Sequence, residues 1–528
     1  MESCRERFLD LWMFDTMIVQ KLKRNFDRCH TDRFRLVSGD VDSTWPRVSV
    51  IIPTYNRSAL LSLTVESVLA QTYPRIEVIV VDDGSTDDTA EVMAQHAGRV
   101  TYIRQTNQGV AAARNRGIQA ASGECLTCLD DDDLLLPTKI ERQVQVLASR
   151  PRVGMVHCRF YYADEDGNHL YKIGFLPEGQ VLEKLVCKNF IWSGAPLIPR
   201  RCLDQVGLFD EQVPSIVADW DMWLRIAQAG YPFACVQEPL GTYRVHRDSM
   251  MSDVAELERG VFAILERVFS NPDVPVEVMT LKRQVFGESR FWMSCRYYAA
   301  GQWENARRNL SEALTLCPHL RAQPGVLVRL LANDALSARV DEPFQFVANV
   351  FDHLPPCAEG LRQHRSHLLS RICLGLAMRR YSAGDIAQAK SLLAQAIALA
   401  PAPFEQENDF VRLLSYYAAH LPDGVPLLYV DTVLQNLPPQ AERLKCVRAR
   451  VLGNVNVRLA YQDYLTGQHQ SAIIRILNAW RHHPFSISRR HVASVFLRSL
   501  LGFGYGLFAR VSGRLVYARS TFGGMGQE

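Results

Sequence analysis

The sequence predicts a two-part protein: an α/β domain with a doubly wound, mostly parallel sheet, followed by an all-α domain of helical repeats. Three observations support this fold class. In the first half, β-branched runs alternate with helical periodicities, which is typical of a parallel sheet covered by helices. Two of these runs end in acidic turns, Asp82-Asp83 and Asp130 to Asp133. In the second half, the same small residues recur at a fixed interval, which indicates a repeat architecture.

Length, charge and cysteine content set the first limits. The 528 residues exceed what one hydrophobic core usually supports, so two or three domains are expected. A net charge of +3 is small for this length and argues against a nucleic acid partner. The 13 cysteines follow no regular spacing, which is typical of reduced thiols in the cytoplasm. Cys125 and Cys128 are three residues apart and on a strand point to opposite faces, so we expect no metal or redox role.

The predicted elements of the first half follow one another closely. A β-branched run at 48–52 is halted by Pro53, and a helix with an apolar face is predicted at 58–70. The sequence also predicts strands at 76–81 and 100–104, a helix at 110–121, and a fourth strand that runs into the acids from Asp130.

Four consecutive carboxylates, Asp130 to Asp133, follow the fourth strand. Adjacent acids repel one another, so a fold tolerates them poorly unless a cation lies nearby. Carboxylate oxygens suit Mg²⁺ or Mn²⁺, which keep part of their coordination shell for a phosphate. Open α/β sheets bind ligands at the carboxyl ends of their strands, so the acids at 82–83 are expected at the same edge. The alternative is a solvated acidic turn.

Six motifs, taken in order, resemble those of the family-2 glycosyltransferases of GT-A fold. The resemblance covers about residues 47–252. The motifs are Val48-Ser-Val-Ile-Ile-Pro-Thr-Tyr-Asn-Arg57, Val81-Asp-Asp-Gly-Ser-Thr-Asp87, Asn107-Gln-Gly with Ala113-Arg-Asn115, Leu129-Asp-Asp-Asp-Asp133, Asp219-Trp-Asp-Met-Trp-Leu-Arg225 and Tyr243-Arg-Val-His246.

The resemblance implies an inverting transferase that uses a nucleoside-diphosphate sugar, and uridine is the usual nucleoside of the family. Pro53 and Tyr55 would then lie beside the nucleobase, and Asp83 would accept its imide N–H. The segment that matches the family's Asp-x-Asp motif is Asp130, Asp131 and Asp132. By the same resemblance, the second of these acids faces the ribose, and the third binds Mn²⁺ or Mg²⁺.

Two further residues are placed at the diphosphate by the same resemblance. Arg114 would approach a phosphate, and the alternative is a surface arginine on a helix. His246 would join the metal or the diphosphate, and the alternative is a structural histidine.

Inversion requires one carboxylate to take the proton of the acceptor hydroxyl, and we assign this role to Asp219. Asp221 is expected to be an acid of the first helical turn on the acceptor side, with the alternative that it is the base. Many relatives carry an acid just before the base, whereas this chain has Ala218, which affects acceptor recognition more than catalysis. The loop expected to border the acceptor contains Trp192, Ser193 and Gly194. The alternative is that these residues only pack against the rest of the protein and do not contact a substrate.

The second half contains three copies of one pattern, and successive copies are displaced by the same interval: Gly301, Ala306, Ala313 and Pro318; Gly384, Ala389, Ala396 and Pro401; Gly467, Ala472, Ala479 and Pro484. The pattern is similar to a tetratricopeptide helix pair, but that repeat spans only about 34 residues, so each copy is predicted to hold about four helices. Stacked helices offer a concave surface to a protein or polymer partner. The alternative is a scaffold that supports the catalytic domain or dimerises.

Both ends of the chain carry amphipathic segments. Residues 8–26 predict a helix that either docks on the protein or contacts a membrane. The apolar segment 495–511, flanked by arginines, either lies in a membrane interface or caps the repeats. No run reaches the roughly 20 apolar residues that span a bilayer, and the N-terminus lacks the pattern of a secretory signal. We therefore expect a cytoplasmic protein, with peripheral contact at the inner face of the membrane as a further option.

These observations predict four regions: an N-terminal helical extension at 1–46, a GT-A domain at 47–255, a repeat domain at 256–510 and a tail at 511–528. The expected function is metal-assisted transfer of a sugar to a hydroxyl of a glycan or lipid-linked acceptor in polysaccharide or glycan biosynthesis. The alternative is a catalytically degenerate nucleotide binder whose repeats act as an interaction scaffold.

Overall fold

The computed structural model describes residues 45–245, 253–337, 340–401, 407–421, 425–465, 468–483, 492 and 495–500. The predicted helix at 8–26, His246, the tail at 511–528 and most of the apolar segment at 495–511 lie outside the described residues. The chain divides into two compact units, Met1–Leu368 and Leu369–Glu528. The predicted boundary at 255 marks the change from α/β to all-α structure and stays a prediction as a domain limit.

The α/β part contains nine strands among the described residues: β1 (Val48–Thr54), β2 (Ile76–Asp82), β3 (Thr101–Arg104), β4 (Cys125–Cys128), β5 (Leu134–Leu135), β6 (Met155–Ala163), β7 (His169–Lys172), β8 (Ile198–Pro199) and β9 (Phe233–Arg244). One sheet has the order β3-β2-β1-β4-β8, parallel except for the edge strand β8. A second sheet has the order β5-β9-β6-β7, in which β6 and β9 are parallel. The predicted α/β class with a mostly parallel sheet is confirmed.

The helices of this part are α1 (Ser58–Leu69), α2 (Thr89–Ala94), α3 (Val110–Ala120), α4 (Lys139–Ser149), α5 (Leu182–Cys187), α6 (Arg200–Val206) and α7 (Ala218–Gln228), with a 3₁₀ turn at Ser215–Val217 before α7. Helices α1, α2 and α3 connect parallel strands, as right-handed crossover topology requires. The carboxyl ends of β1, β2 and β4 therefore meet at one edge of the sheet.

Strand β1 is buried along its whole length and continues past Pro53, which the sequence pattern placed at its end. In a strand, the N–H and C=O groups of one residue point to the same side. Ile51 accepts a hydrogen bond from the Leu129 N–H on the β4 side, so Pro53 also points to that side. Because β4 ends at Cys128, opposite Ile51, the N–H that proline lacks has no ladder partner to lose.

The all-α part contains these helices among the described residues: α8 (Val254–Ser270), α9 (Val276–Met279), α10 (Lys282–Ala299), α11 (Trp303–Leu316), α12 (Pro318–Ala322), α13 (Pro324–Ala335), α14 (Pro343–Asp352), α15 (Arg365–Ser382), α16 (Ile386–Leu399), α17 (Glu407–Ala419), α18 (Pro426–Gln435), α19 (Arg448–Leu465) and α20 (His469–His482). Two 3₁₀ segments, Pro356–His364 and Pro439–Val447, follow α14 and α18. None of the described helices is both long and apolar enough to cross a membrane.

The helix limits repeat with the interval predicted from sequence. Helices α10, α15 and α19 begin at positions 282, 365 and 448, which are equally spaced, and α11, α16 and α20 begin at 303, 386 and 469 with the same spacing. One hydrogen bond also repeats: the Tyr298 hydroxyl donates to the His353 carbonyl, and the Tyr381 hydroxyl donates to the Asn436 carbonyl. The helical repeat is therefore present in the fold as well as in the residue pattern.

Candidate active site

The predicted donor-side acids lie at the carboxyl edge of the parallel sheet, in a cavity of about 690 Å³. Every residue that lines the cavity belongs to the unit Met1–Leu368. The lining includes eight of the predicted site residues: Pro53, Tyr55, Asp83, Arg114, Asp130, Asp131, Asp132 and Asp219. Trp192 also lines it, whereas Gly194 and Asp221 do not. The structure thus brings together most of the residues that the sequence predicted from six separate segments.

The two acids after β2 have different surroundings. The Asp83 carboxylate accepts hydrogen bonds from Gln105 Nε2 (2.8 Å) and from the backbone N–H groups of Gln108 (2.9 Å) and Gly109 (2.7 Å). Asp82 points elsewhere, because its carboxylate accepts from the Ser85 N–H and from the hydroxyl of Tyr102 on the neighbouring strand. Asp83 therefore faces the cavity, and Asp82 holds the turn.

The acids Asp130 to Asp133 are not a solvated turn, since Asp131 is 5% exposed and Asp133 is fully buried. Asp133 accepts hydrogen bonds from the Trp192 indole N–H (2.6 Å) and the Arg244 backbone N–H (2.9 Å). Burial and the neighbouring acids raise the pKa of Asp133 well above its ordinary value. This residue anchors the segment to the second sheet and leaves the other three acids on the cavity side.

The middle acids of the segment share one arginine. Arg57 Nη1 lies 3.2 Å from Asp131 Oδ1 and 2.6 Å from Asp132 Oδ2, and the Thr54 hydroxyl donates to Asp131. Burial, followed by repulsion from Asp132, raises the pKa of Asp131 to about 7. The segment therefore carries unfavourable negative charge that a further cation would relieve.

Arg114 is buried and not the surface arginine of the alternative interpretation, which is wrong. Its Nη2 donates to Asp130 Oδ1 at 2.6 Å, while the Ser193 hydroxyl donates to the other oxygen of Asp130. Although burial alone would raise the pKa of Asp130, Arg114 and Ser193 lower it. The Arg114 Nε–H is buried and has no hydrogen-bond partner among the described residues.

Asp219 lies in the first turn of α7 and lines the cavity, where it interacts electrostatically with Arg114 and Asp130. Its Oδ1 accepts from the Trp220 backbone N–H (2.6 Å), and its Oδ2 accepts from Asn189 Nδ2 (3.3 Å). Burial raises the pKa of Asp219 to about 6, against the opposing effect of Arg114. A carboxylate with a pKa just below neutrality can receive a proton and release it again near pH 7.

Asp221 lies on another face of α7. Its carboxylate pairs with Arg225 Nε (2.8 Å) and with Arg267 Nη2 (3.1 Å), and it is 2% exposed. The structure therefore gives Asp221 a contact between α7 and α8 and does not bring it to the cavity.

The remaining predicted residues lie at the margins. Tyr55 is 47% exposed at the cavity mouth, and the Trp192 ring packs on Phe160, with ring centroids 5.5 Å apart. A Cβ atom on Gly194 would approach the Trp192 ring to 2.4 Å, so Gly194 makes room for the indole. Sequence reasoning missed Arg57 and Asn189, which contact the carboxylates assigned above. Arg57 stands inside a quoted motif, where a long cation just after a strand end was the available signal, and Asn189 had no signal.

The described residues contain no cluster of three or more histidine, cysteine or acidic side chains placed to hold a metal ion. Asp131 and Asp132 nevertheless form a donor pair of the right chemistry, and the pKa of Asp131 is raised by burial and then by repulsion from Asp132. Mn²⁺ and Mg²⁺ usually take one or two protein carboxylates and complete their shell with phosphate and water. The residues present therefore fit a divalent ion that arrives with a diphosphate.

Comparison with known proteins identifies the class. Residues 49–197 match the family model described as Glycosyl transferase family 2, and residues 125–299 match the one described as Glycosyl transferase family group 2. The chain is 31% identical over 220 residues to the "Putative teichuronic acid biosynthesis glycosyltransferase TuaG" of Bacillus subtilis, which covers 39% of this chain and 82% of that protein. The chain therefore belongs to glycosyltransferase family 2.

Other relatives share only part of their length with this chain. An uncharacterised glycosyltransferase of Rickettsia typhi is 34% identical over 188 residues, covering 34% of this chain and 58% of the relative. For the relative from Rickettsia bellii, the match spans 27% of its length. Among solved structures, the Pyrobaculum calidifontis mannosyltransferase PcManGT in complex with GDP-Man and Mn²⁺ is 20% identical, with a TM-score of 0.38, over 59% of this chain and 88% of that chain.

Proposed function

We propose that this protein transfers a sugar, with inversion, from a nucleoside-diphosphate sugar to an acceptor hydroxyl during polysaccharide or glycan assembly. The observation that carries the proposal is that Asp219, with a pKa raised to about 6, shares one cavity with Asp83 and the acidic segment. Membership of glycosyltransferase family 2 and the relative named for teichuronic acid biosynthesis support the reaction class.

In this proposal, the donor occupies the sheet edge. Pro53 and Tyr55 flank the base, which we take to be uracil, and Asp83 accepts its imide N–H. Asp131 faces the ribose. Asp130 keeps Arg114 in place through their 2.6 Å contact, and Arg114 approaches a phosphate of the donor.

Asp132, with His246, is assigned to hold Mn²⁺ or Mg²⁺. When bound, the ion neutralises the charge that builds on the departing nucleoside diphosphate. Asp219 takes the proton of the acceptor hydroxyl at Oδ2, the oxygen that Asn189 orients, while that hydroxyl attacks the sugar carbon from the far side. Trp192 and Gly194 border the acceptor side, where Trp192 keeps Asp133 and the acidic segment in position.

The experiment is calorimetric titration of the full chain with UDP, with and without Mn²⁺, followed by GDP and dTDP. Mn²⁺-dependent binding that Asp132→Ala abolishes and Asp166→Asn, a surface control, leaves unchanged would support the donor site. Turnover is then measured as nucleotide release from a panel of nucleotide sugars with candidate acceptors. Failure of all three nucleotides to bind under either condition would overturn the proposal.

A further inference from the structure

The cavity does not end at Asp219 but continues along helices of the first repeat. We name this continuation the helical arm. Its wall from the repeat comes from α10, α13 and α14, and includes Glu288, Trp292, Cys295, Leu330 and Phe346. Residues 288, 292 and 295 are spaced by one helical turn, so one face of α10 forms the long side of the arm.

The helical arm begins next to the assigned base. Asn189, which donates to Asp219, lines the same cavity as Cys187 at the end of α5. Helix α5 packs against both α7, which carries Asp219, and α10, which carries Trp292. A molecule whose hydroxyl reaches Asp219 can therefore extend directly along α10.

The wall that the first repeat contributes is mainly apolar. Cys295, Leu330 and Phe346 are buried hydrophobic residues of the repeat whose surfaces also form the wall. Glu288 accepts a hydrogen bond from Gln284 Nε2 at 2.6 Å, and burial raises its pKa to about 8.

Arg296 and Asp334, which have opposite charges, also line the arm, and both act electrostatically on Cys295. Ser289 and Ser337 add further polar groups to the wall.

The internal repeat supplies a built-in comparison. At the equivalent positions of the second copy, Gly375 replaces Trp292 and Arg371 replaces Glu288. Tyr298 and Tyr381, by contrast, keep the same residue and the same hydrogen bond. Packing of the repeat thus does not require a tryptophan or a glutamate at these two positions.

We propose that the helical arm binds the apolar part of the acceptor, so that the acceptor is a sugar carried on a hydrocarbon chain. The inference deepens the proposed function and rests on it for the role of Asp219. It also gives the first repeat a task beyond support of the catalytic domain, because that repeat forms the wall that selects the acceptor.

The test uses the full chain saturated with UDP and Mn²⁺, titrated with hexyl, heptyl and octyl β-D-glucopyranosides below their micelle concentrations. If the chain enters an apolar arm, affinity is expected to rise roughly fourfold with each added methylene. Trp292→Gln and Leu330→Ala are expected to flatten this dependence and leave UDP affinity unchanged. Trp480→Gln is the matched control, since Trp480 is 57% exposed outside the cavity.

Three results would overturn the inference: no dependence on chain length in the parent protein, the same dependence in all variants, or tighter binding of free oligosaccharides than of alkyl glycosides. Thermal unfolding of each variant checks that it is folded. Trp292 is partly exposed, so Trp292→Gln is expected to fold and still tests the inference if Leu330→Ala does not fold. Nucleotide binding is measured in the same samples, so loss of UDP binding with an intact chain-length dependence would overturn only the proposed function.

Discussion

At the scale of single residues, each acid of the segment Asp130 to Asp133 contacts its own set of side chains or backbone groups. Arg57 contacts Asp131 and Asp132, Arg114 contacts Asp130, and Trp192 with Arg244 contacts Asp133. Each acid consequently has its own electrostatic environment, although the four are adjacent in sequence. Arg57 is of special interest because it contacts both carboxylates that the proposal assigns to the ribose and the metal.

The first prediction concerns Arg57. Arg57→Gln removes the guanidinium from Asp131 and Asp132, so their carboxylates attract a divalent ion more strongly. We expect Mn²⁺ affinity in the absence of nucleotide to increase by roughly tenfold, which corresponds to about 1.4 kcal/mol. Titration of free Mn²⁺ by electron paramagnetic resonance measures this. Arg57→Lys keeps the charge and is the control, and unchanged or weaker binding in Arg57→Gln would contradict the prediction.

The second prediction concerns the pH dependence of transfer. Because burial raises the pKa of Asp219 from 3.8 to about 6, the carboxylate form that accepts a proton dominates above pH 6 and is lost below it. We expect kcat/KM to fall as the pH is lowered through about 6. Asp219→Asn should lower turnover by roughly 10² or more at all pH values and spare UDP binding. Near-normal turnover of Asp219→Asn would show that another group is the base.

At the scale of elements, α3 lies unusually close to β1, and this approach positions Arg114. A Cβ atom on Gly117 of α3 would lie 2.3 Å from Ile51 Cγ2 and 3.2 Å from Val81 Cγ2. Only a glycine lets the helix that carries Arg114 lie this close to the strands. The donor site is thus positioned by helix packing as well as by its own side chains.

The third prediction follows from this contact. Gly117→Ala forces α3 away from the sheet, and overpacking of this kind costs about 1–3 kcal/mol. We expect a lower unfolding midpoint in calorimetry together with weaker UDP binding, because Arg114 moves with the helix. Gly325→Ala is the matched control, since a Cβ there meets nothing within 4 Å, and it should be neutral or slightly stabilising. Equal midpoints for both variants would contradict the prediction.

At the scale of the whole molecule, the first repeat belongs to the same compact unit as the α/β domain, which ends at Leu368. Helix α8 packs against the 3₁₀ turn at Ser215–Val217, and α10 packs against α5. The secondary structure changes from α/β to all-α near residue 255. The cavity wall and the contacts with the α/β part nevertheless extend well beyond that residue.

The fourth prediction compares two truncations. A chain that ends at Leu368 keeps the compact unit and should bind UDP with the affinity of the full chain. A chain that ends at 255 exposes the surfaces of α5 and of the 3₁₀ turn at Ser215–Val217 that pack against the later helices, and it should aggregate or lose its unfolding transition. Size-exclusion chromatography and UDP titration distinguish the two outcomes, and a soluble 1–255 chain with full UDP affinity would contradict the prediction.

The sequence by itself determined the order of an α/β part before an all-α part, the limits of the predicted strands and helices to within about two residues, and the constant interval between the repeats. These properties depend on local periodicity and turn residues. The tertiary structure alone decided which acids face the cavity, because their partners are distant in sequence, as with Arg244 and Asp133. It also decided that Asp221 pairs with arginines and that the first repeat forms part of the cavity wall. Both features depend on packing between elements that are distant in sequence, so no local pattern predicts them.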